Sequence, residues 1–289
     1  MIFSKKQCIG NYFVYVNCLE ETVENPGEVA RKVSDRHFGI GSDGLILICP
    51  SDKADFRMRM FNADASEGMM CGNGSRCIAK FVYDKGLTQK NPITLETLSG
   101  IKTIAMDVAD GKVVSATVDM GVPITDPSSI PMTWEKSICL DETITVTVDG
   151  APLSLRGTGV SMGNPHFVTF VEDVATAPVE KVGRVIEHSS YFPERVNVEF
   201  VEIVDDNHVK FRVWERGSGE TLACGTGACA VAYTAITLGK AGRRDQFLTV
   251  EAVGGPLQLN YRSDGHMMMK GPAVTVYEGE MEIPDNILK

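Results

Sequence analysis

The chain has 289 residues, 43% hydrophobic and 23% charged, with a formal net charge of −10. That length is long for one core and comfortable for two domains, and the composition is that of a soluble globular protein. An acidic excess has the wrong sign for a phosphate backbone or an anionic bilayer, so neither nucleic acid nor a membrane is expected as a partner.

The first residues, "MIFSKKQCIGNYFVYV", carry no apolar signal core and no small-residue cleavage site. No apolar run approaches the ~20 residues of a spanning helix. A cytoplasmic protein is therefore expected. The eight cysteines include no C-x-x-C pair. They read as reduced thiols, not as a zinc site or a disulfide framework, and no metal ligand set is expected.

In chain order, "YFVYVNC" reads as a strand and "GEVARKVSDRHFG" (27–39) as an amphipathic helix closed by glycine. "GLILIC" and "FRMRMFN" read as strands. The run after Cys71 reads as a helix ending near Gly86. "KTIAMDVADGKVVSATVDMG" is a hairpin turning at Asp110-Gly111, and "TVTVDGAPLSL" a second at Asp149-Gly150. "VEKVGRVIEHS" (179–189) is a helix. Two strands follow around Asp205-Asp206-Asn207, then a helix after Cys224. Antiparallel strand signal dominates, with about four helices. The expected class is α+β, and a doubly wound sheet is excluded.

The chain repeats itself. Cys224 lies 153 residues after Cys71, and the same separation relates Gly72 to Gly225, Gly74 to Gly227, Gly86 to Gly239, Glu67 to Glu220 and Gly10-Asn11 to Gly163-Asn164. "TLETLSG" from Thr94 resembles "TVEAVGG" from Thr249. Two similar lobes are expected, each of mainly antiparallel strands around a helix that starts at Cys-Gly-x-Gly.

Such a start aims free N–H groups and a positive dipole at an anion. A cysteine there is expected to have its thiolate favoured, below the usual pKa of ~8.5. Two of them suit one reaction: inversion of a carbon next to a carboxylate, with a base on one face and an acid on the other.

The motifs "GNYFVYV", "GIGSDGLILI", "FNADASEGMMCGNGSRC", "MGNPHFVTFV", "RVNVEFV", "ERGSGETLACGTGACA" and "MKGPAVTVYEGEMEI" resemble those of the diaminopimelate epimerases, in the same order along the chain. The resemblance implies two pseudo-symmetric, barrel-like lobes, each around a central helix, with the site in the cleft between them. These are assigned as residues 1–120 with 270–289, and residues 121–269. It implies cofactor-independent conversion of LL-2,6-diaminopimelate to the meso form for lysine and peptidoglycan precursor synthesis, with a homodimer as the assembly.

Carried over residue by residue, Cys71 and Cys224 are the acid/base pair. The backbone N–H groups of Gly72, Asn73, Gly225 and Thr226 hold the reacting carboxylate, and Asn11 and Asn164 orient that end. Asn62, Asn197 and Arg216 bind the distal carboxylate. Glu215 meets an ammonium, and His166 and Glu215 tune the thiols. The chain departs from the family at Gly44, where many members carry Gln, and at Tyr12 and Phe167.

Other motifs point elsewhere. "GIGSDG" (39–44) satisfies a dinucleotide pattern, but its helix precedes and its strand follows, the reverse of what that site needs. "GVSMG" (159–163) satisfies a nucleophile-elbow pattern. A serine hydrolase using Ser161, with Asp205 and His208, is the alternative of a different class. A related racemase of the same fold and a non-catalytic amino-acid binder complete the set. His37, His188, His208 and His266 show no metal-ligand spacing. The six other cysteines, Cys77 and Cys229 among them, read as packing residues.

Overall fold

The computed structural model describes residues 1–284 and Ile287. Its chain contacts divide it into two compact units, residues 1–119 with 270–289 and residues 120–269.

The first unit contains β1 (Ile2–Cys8), β2 (Asn11–Asn17), α1 (Pro26–Ser34), β3 (Gly44–Cys49), β4 (Phe56–Asn62), β5 (Glu67–Gly68), α2 (Gly72–Asp84), β6 (Ile93–Thr97), β7 (Gly100–Ala109) and β8 (Lys112–Asp119). The second contains β9 (Glu142–Val148), β10 (Ala151–Ser161), β11 (Pro165–Phe170), α3 (Val179–Glu187), β12 (Asn197–Asp205), β13 (His208–Glu215), β14 (Gly219–Thr221), α4 (Gly225–Thr237), β15 (Phe247–Ala252) and β16 (Gly255–Tyr261). Strand β17 (Met267–Pro272) runs across the boundary, and β18 (Val274–Glu280) returns to the first unit.

The two units repeat one wiring. In the first, β1–β2, β3–β4, β4–β5, β6–β7 and β7–β8 are antiparallel, while β2–β3 and β4–β6 are parallel. In the second, β10–β11, β12–β13, β13–β14 and β15–β16 are antiparallel, while β11–β12 and β13–β15 are parallel. Helices α1 and α2 make the two parallel crossovers of one unit, and α3 and α4 those of the other. A parallel neighbour cannot be reached by a tight turn, so a helix must bridge it. The outermost strand is supplied differently: β18 pairs with β1, and β9 with β10.

The strand-dominated α+β class is the one read from the sequence, and the parallel crossovers are additional to the antiparallel reading. Helix α1 stops at Ser34, short of the expected Gly39. Asp35 causes this: its backbone is extended, and its Oδ1 accepts the N–H groups of His37 and Phe38 at 2.7 and 2.8 Å. A side chain that offers the next amides an acceptor competes with the helix for them. The hairpin turns at Asp110-Gly111 and Asp149-Gly150 have positive φ at both residues, the tight two-residue geometry that matches strand twist.

Each unit has two hydrophobic layers. Val29, Ala30 and Val33 of α1 pack on Val14, Val16, Leu45, Leu47 and Phe61. Val179, Val182 and Ile186 of α3 pack on Phe167, Val198 and Phe200. Helix α2 touches strands at both ends of its sheet, β1 and β18 on one side and β7 and β8 on the other. The sheet therefore curls round it. Helix α4 likewise contacts strands from β10 to β16, and its residues from Gly227 to Ala235 are all buried. A helix enclosed this way has no polar face to spare, so its chemistry is displayed at its end.

Candidate active site

Each central helix is introduced by a short hairpin clamped by a bidentate ion pair. Arg59 donates Nε and Nη2 to Glu67 at 2.8 and 3.0 Å. Arg212 donates the same two atoms to Glu220 at 2.6 and 3.0 Å. Fork-to-carboxylate geometry fixes direction as well as distance, so β4–β5 and β13–β14 deliver the next residues in a set orientation.

Those residues are the cysteines. Cys71 and Cys224 are the N-caps of α2 and α4, with extended backbones. Cys71 Sγ accepts the N–H of Gly74 at 3.3 Å, and Cys224 Sγ that of Gly227 at 3.4 Å. The N–H groups of Gly72 and Asn73, and of Gly225 and Thr226, open the first turns, where no intrahelical carbonyl reaches them. At the third helical position neighbouring side-chain ends approach the backbone closely. A Cβ on Gly74 would lie 2.6 Å from Ile46 Cδ1, and one on Gly227 2.7 Å from Glu199 Oε1.

In the first unit a directed chain of hydrogen bonds passes Cys71. Buried Arg76 donates to Asn73 Oδ1 at 2.6 Å, Asn73 Nδ2 donates to Asn11 Oδ1 at 3.4 Å, and Asn11 Nδ2 donates to Asp43 Oδ2 at 2.8 Å. Asn11 Oδ1 is 3.8 Å from Cys71 Sγ. Gly10 and Gly163, with φ of 83° and 97°, turn the chain just before Asn11 and Asn164. Asn62 ends β4, with Nδ2 bonded to Ser66 Oγ at 3.0 Å.

In the second unit His166 and Glu199 are fully buried, with Nδ1 2.6 Å from Oε1. His166 Nε2 is 3.1 Å from Asn164 Oδ1. Glu215 accepts a hydrogen bond from Thr221 Oγ1, and Thr226 Oγ1 is 3.3 Å from Cys224 Sγ. Asn197 is a strut: its Oδ1 accepts the N–H of Arg216 at 2.8 Å, and its Nδ2 donates to the Pro165 carbonyl at 3.1 Å. Arg216 donates Nη1 to the Glu194 carbonyl at 3.1 Å and is otherwise exposed. Glu187, the last residue of α3, accepts Trp214 Nε1 at 2.6 Å and the N–H of Gly217 at 2.9 Å, and so holds the loop that carries Arg216.

The sequence profile of the family described as diaminopimelate epimerase matches residues 3–125 and 158–276. A diaminopimelate epimerase of Acetivibrio thermocellus is 53% identical over 284 residues, covering 98% of this chain and 99% of the relative. One from Methanococcus maripaludis is 52% identical over 284 residues, covering 98% and 100%. This chain belongs to the diaminopimelate epimerase family. Solved structures support the fold: a hydroxyproline epimerase from Agrobacterium vitis has a TM-score of 0.70 at 14% identity, covering 97% of this chain and 90% of that one. A Bacillus anthracis phenazine biosynthesis protein of the PhzF family has a TM-score of 0.69 at 19% identity, covering 98% of each chain.

Within this diaminopimelate epimerase framework, the thiols differ from the sequence expectation. The helix start was expected to bring them below the usual range. Burial instead pushes the Cys71 thiol up to about 11, against the lowering by the Gly74 N–H and by Arg76. Burial also raises Cys224 well above its usual value, and the carboxylates of Glu215 and Glu199 add to it. Burial raises Glu215 as well. A dipole's contribution within one turn is modest beside the cost of desolvating a thiolate.

The departure at Gly44 is structural. A Cβ there would lie 2.2 Å from the Phe61 carbonyl oxygen, so the position has no room for a side chain. The two decoys are also resolved. Gly44 begins a strand, and Ser161 ends one and is followed by β11, not by a helix. His208 is 2.8 Å from Glu251, at the far end of β13 from Glu215.

Sequence reasoning did not single out Asp43, Arg76, Glu187 or Glu199. For Glu199 the signal was available: it stands 153 residues after Ile46, so an acid replaces a core aliphatic in the second copy. Cys8 and Cys77 are buried with their sulfurs 3.3 Å apart, whereas Cys18 and Cys49 are only half-buried.

Proposed function

We propose that this protein epimerises LL-2,6-diaminopimelate to the meso form, with Cys71 and Cys224 as the exchanging acid and base. The observation that carries the reading is the duplicated cap: two thiols, each the N-cap of a central helix, each accepting the N–H of the glycine three residues on.

The α-carboxylate is held by the N–H groups of Gly72, Asn73, Gly225 and Thr226. One thiolate takes the α-proton: the C–H bond breaks, an S–H bond forms, and the electron pair spreads into the carboxylate as an enediolate. The helix starts favour that added charge, which is transition-state stabilisation by preorganised donors. The other thiol gives its proton to the opposite face, and the carbon is inverted. Both thiols are raised in the substrate-free protein, so the substrate's α-ammonium supplies the positive charge that favours a thiolate. Arg76 lowers Cys71 while two carboxylates raise Cys224. These charges favour a thiolate at Cys71 over one at Cys224, while the face each sulfur presents to the α-carbon decides which of them takes the proton from the LL centre.

Arg216, Asn62 and Asn197 take the distal carboxylate, and Glu215 an ammonium. Arg216 suits this role because its planar fork meets a carboxylate with two bonds. The reading places the reaction in the cytoplasm, in lysine and peptidoglycan precursor synthesis, and in a homodimer.

The test is chiral chromatography of LL-diaminopimelate, and separately of L-proline, after incubation with the purified protein. Appearance of the meso form with proline untouched supports the reading. Racemised proline with intact LL-diaminopimelate would replace it with the same-fold racemase.

A further inference from the structure

The second unit spends an unusual pair of residues beneath its thiol. His166 and Glu199 are both fully buried, whereas their counterparts 153 residues earlier are Phe13 and Ile46, both buried and apolar. The fold therefore closes this position with hydrocarbon in one copy. Burying an acid and an imidazole instead costs more than burying two apolar side chains, so packing does not account for the pair.

We propose that Glu199 is a positioning residue of the epimerase site, acting through His166 on Asn164; the inference rests on the reading of Asn164 as a substrate contact. Both ring nitrogens of His166 face oxygen: Nδ1 is 2.6 Å from Glu199 Oε1, and Nε2 is 3.1 Å from Asn164 Oδ1. An amide oxygen can only accept, so Nε2 carries a hydrogen and donates it to Asn164. A second proton lies between Nδ1 and Oε1. This arrangement turns the Asn164 amide with Oδ1 toward the ring and leaves Nδ2 to donate to the reacting carboxylate. Turned the other way, the amide would present an oxygen lone pair to that carboxylate.

Two further observations place the acid at the site. Glu199 Oε2 is buried and finds no hydrogen-bond partner among the described residues. A Cβ on Gly227 would lie 2.7 Å from Glu199 Oε1 and 3.4 Å from Cys224 Sγ, so nothing but a glycine separates the carboxylate from the capping thiol. The side chain is thus anchored by one oxygen, on His166, directly under the first turn of α4.

The test is a double-mutant cycle on kcat/KM with LL-diaminopimelate, using Glu199→Ile and Glu199→Gln, each in the native protein and in Asn164→Ala. Glu199→Ile inserts the residue of the twin unit. Its expected effect is a loss of about tenfold or more in the native background but about twofold or less in Asn164→Ala, because coupled positions are not additive. Glu199→Gln still offers Nδ1 a partner and is expected to stay within about fivefold of the native protein. Equal losses from Glu199→Ile in both backgrounds, or no loss in either, would overturn the proposal. Nitrogen NMR of His166 in the native protein gives a check that needs no variant: a protonated Nε2 is expected, and a bare Nε2 contradicts the inference. If the native protein itself leaves LL-diaminopimelate unchanged, the functional reading fails and not this one, whose NMR arm still stands.

Discussion

Cys71 and Cys224 cap their helices in the same way, each sulfur accepting the N–H three residues on, at 3.3 and 3.4 Å. One hydrogen bond therefore joins the structural role of each thiol, as an N-cap, to the chemical role proposed for it, as a group aimed at a carboxylate held at the helix start. Serine separates the two roles, since its oxygen can cap a helix but is a far weaker base. Cys71→Ser and Cys224→Ser are each expected to lower kcat/KM by roughly 10²–10⁴ while leaving thermal stability close to native. Cys→Ala at either position should lose the same activity and also about 1 kcal/mol of stability. Steady-state kinetics with thermal unfolding checks both.

The raised thiols make a pH-dependent statement about the free protein. With burial holding Cys71 near 11 and raising Cys224 well above its usual value, almost no thiolate is present at neutral pH. Alkylation by iodoacetamide at pH 8 should be roughly 100-fold slower at Cys71 than for an ordinary cysteine of pKa ~8.5. It should accelerate about tenfold per pH unit until the pH approaches 11, and Cys224 should likewise be slow at pH 8. Peptide mass spectrometry separates the two sites from half-buried Cys18 and Cys49.

Glu187 supports the Arg216 loop from behind. It is 2% exposed and accepts from both Trp214 Nε1 and the N–H of Gly217. Glu187→Ala leaves two donors unsatisfied, which is expected to cost about 2–4 kcal/mol of stability and to raise KM for diaminopimelate through the displaced Arg216. Tryptophan fluorescence, denaturant unfolding and KM provide the measurements. Unchanged fluorescence and unchanged KM would show that the loop holds without it.

Lys6 is 2% exposed, donates Nζ to Thr275 Oγ1 at 2.6 Å, and is lowered by burial from 10.5 to about 8. Between those values the unfolded chain binds more protons than the native one, so this residue makes stability rise with pH across that window. Below pH 8 the penalty is fully present, on the order of 3 kcal/mol. Lys6→Met should therefore stabilise the protein at pH 7 by about 1–3 kcal/mol, less the lost bond to Thr275. The advantage should shrink as pH rises from 8 toward 10.5. Denaturant unfolding at pH 7 and pH 10 measures it.

The parts of the fold that could be read in the sequence are those with a local cause. Cys-Gly-x-Gly before an apolar run marks the starts of α2 and α4, and Asp-Gly between alternating segments marks the turns at 110–111 and 149–150. What escaped depends on distant partners. The end of α1 is decided by where the Asp35 side chain turns, and the raised thiols by how deeply each sulfur is buried. Glu199 lies in an apolar strand and resembles an outward-facing acid of an alternating pattern. Only its alignment with Ile46 through the internal repeat marks it as buried. Arg76 is similar, an arginine within a helix that turns out to be fully enclosed beside Asn73.

The central claim is that two thiols exchange the α-proton of diaminopimelate with solvent while inverting the carbon. It is tested most directly by incubating the protein with LL-diaminopimelate in D2O and following mass and chirality together. The expected result is meso-diaminopimelate carrying one deuterium at the inverted α-carbon, formed by the native protein and absent with Cys71→Ser or Cys224→Ser. Meso product without deuterium, or full turnover by either variant, would contradict the account.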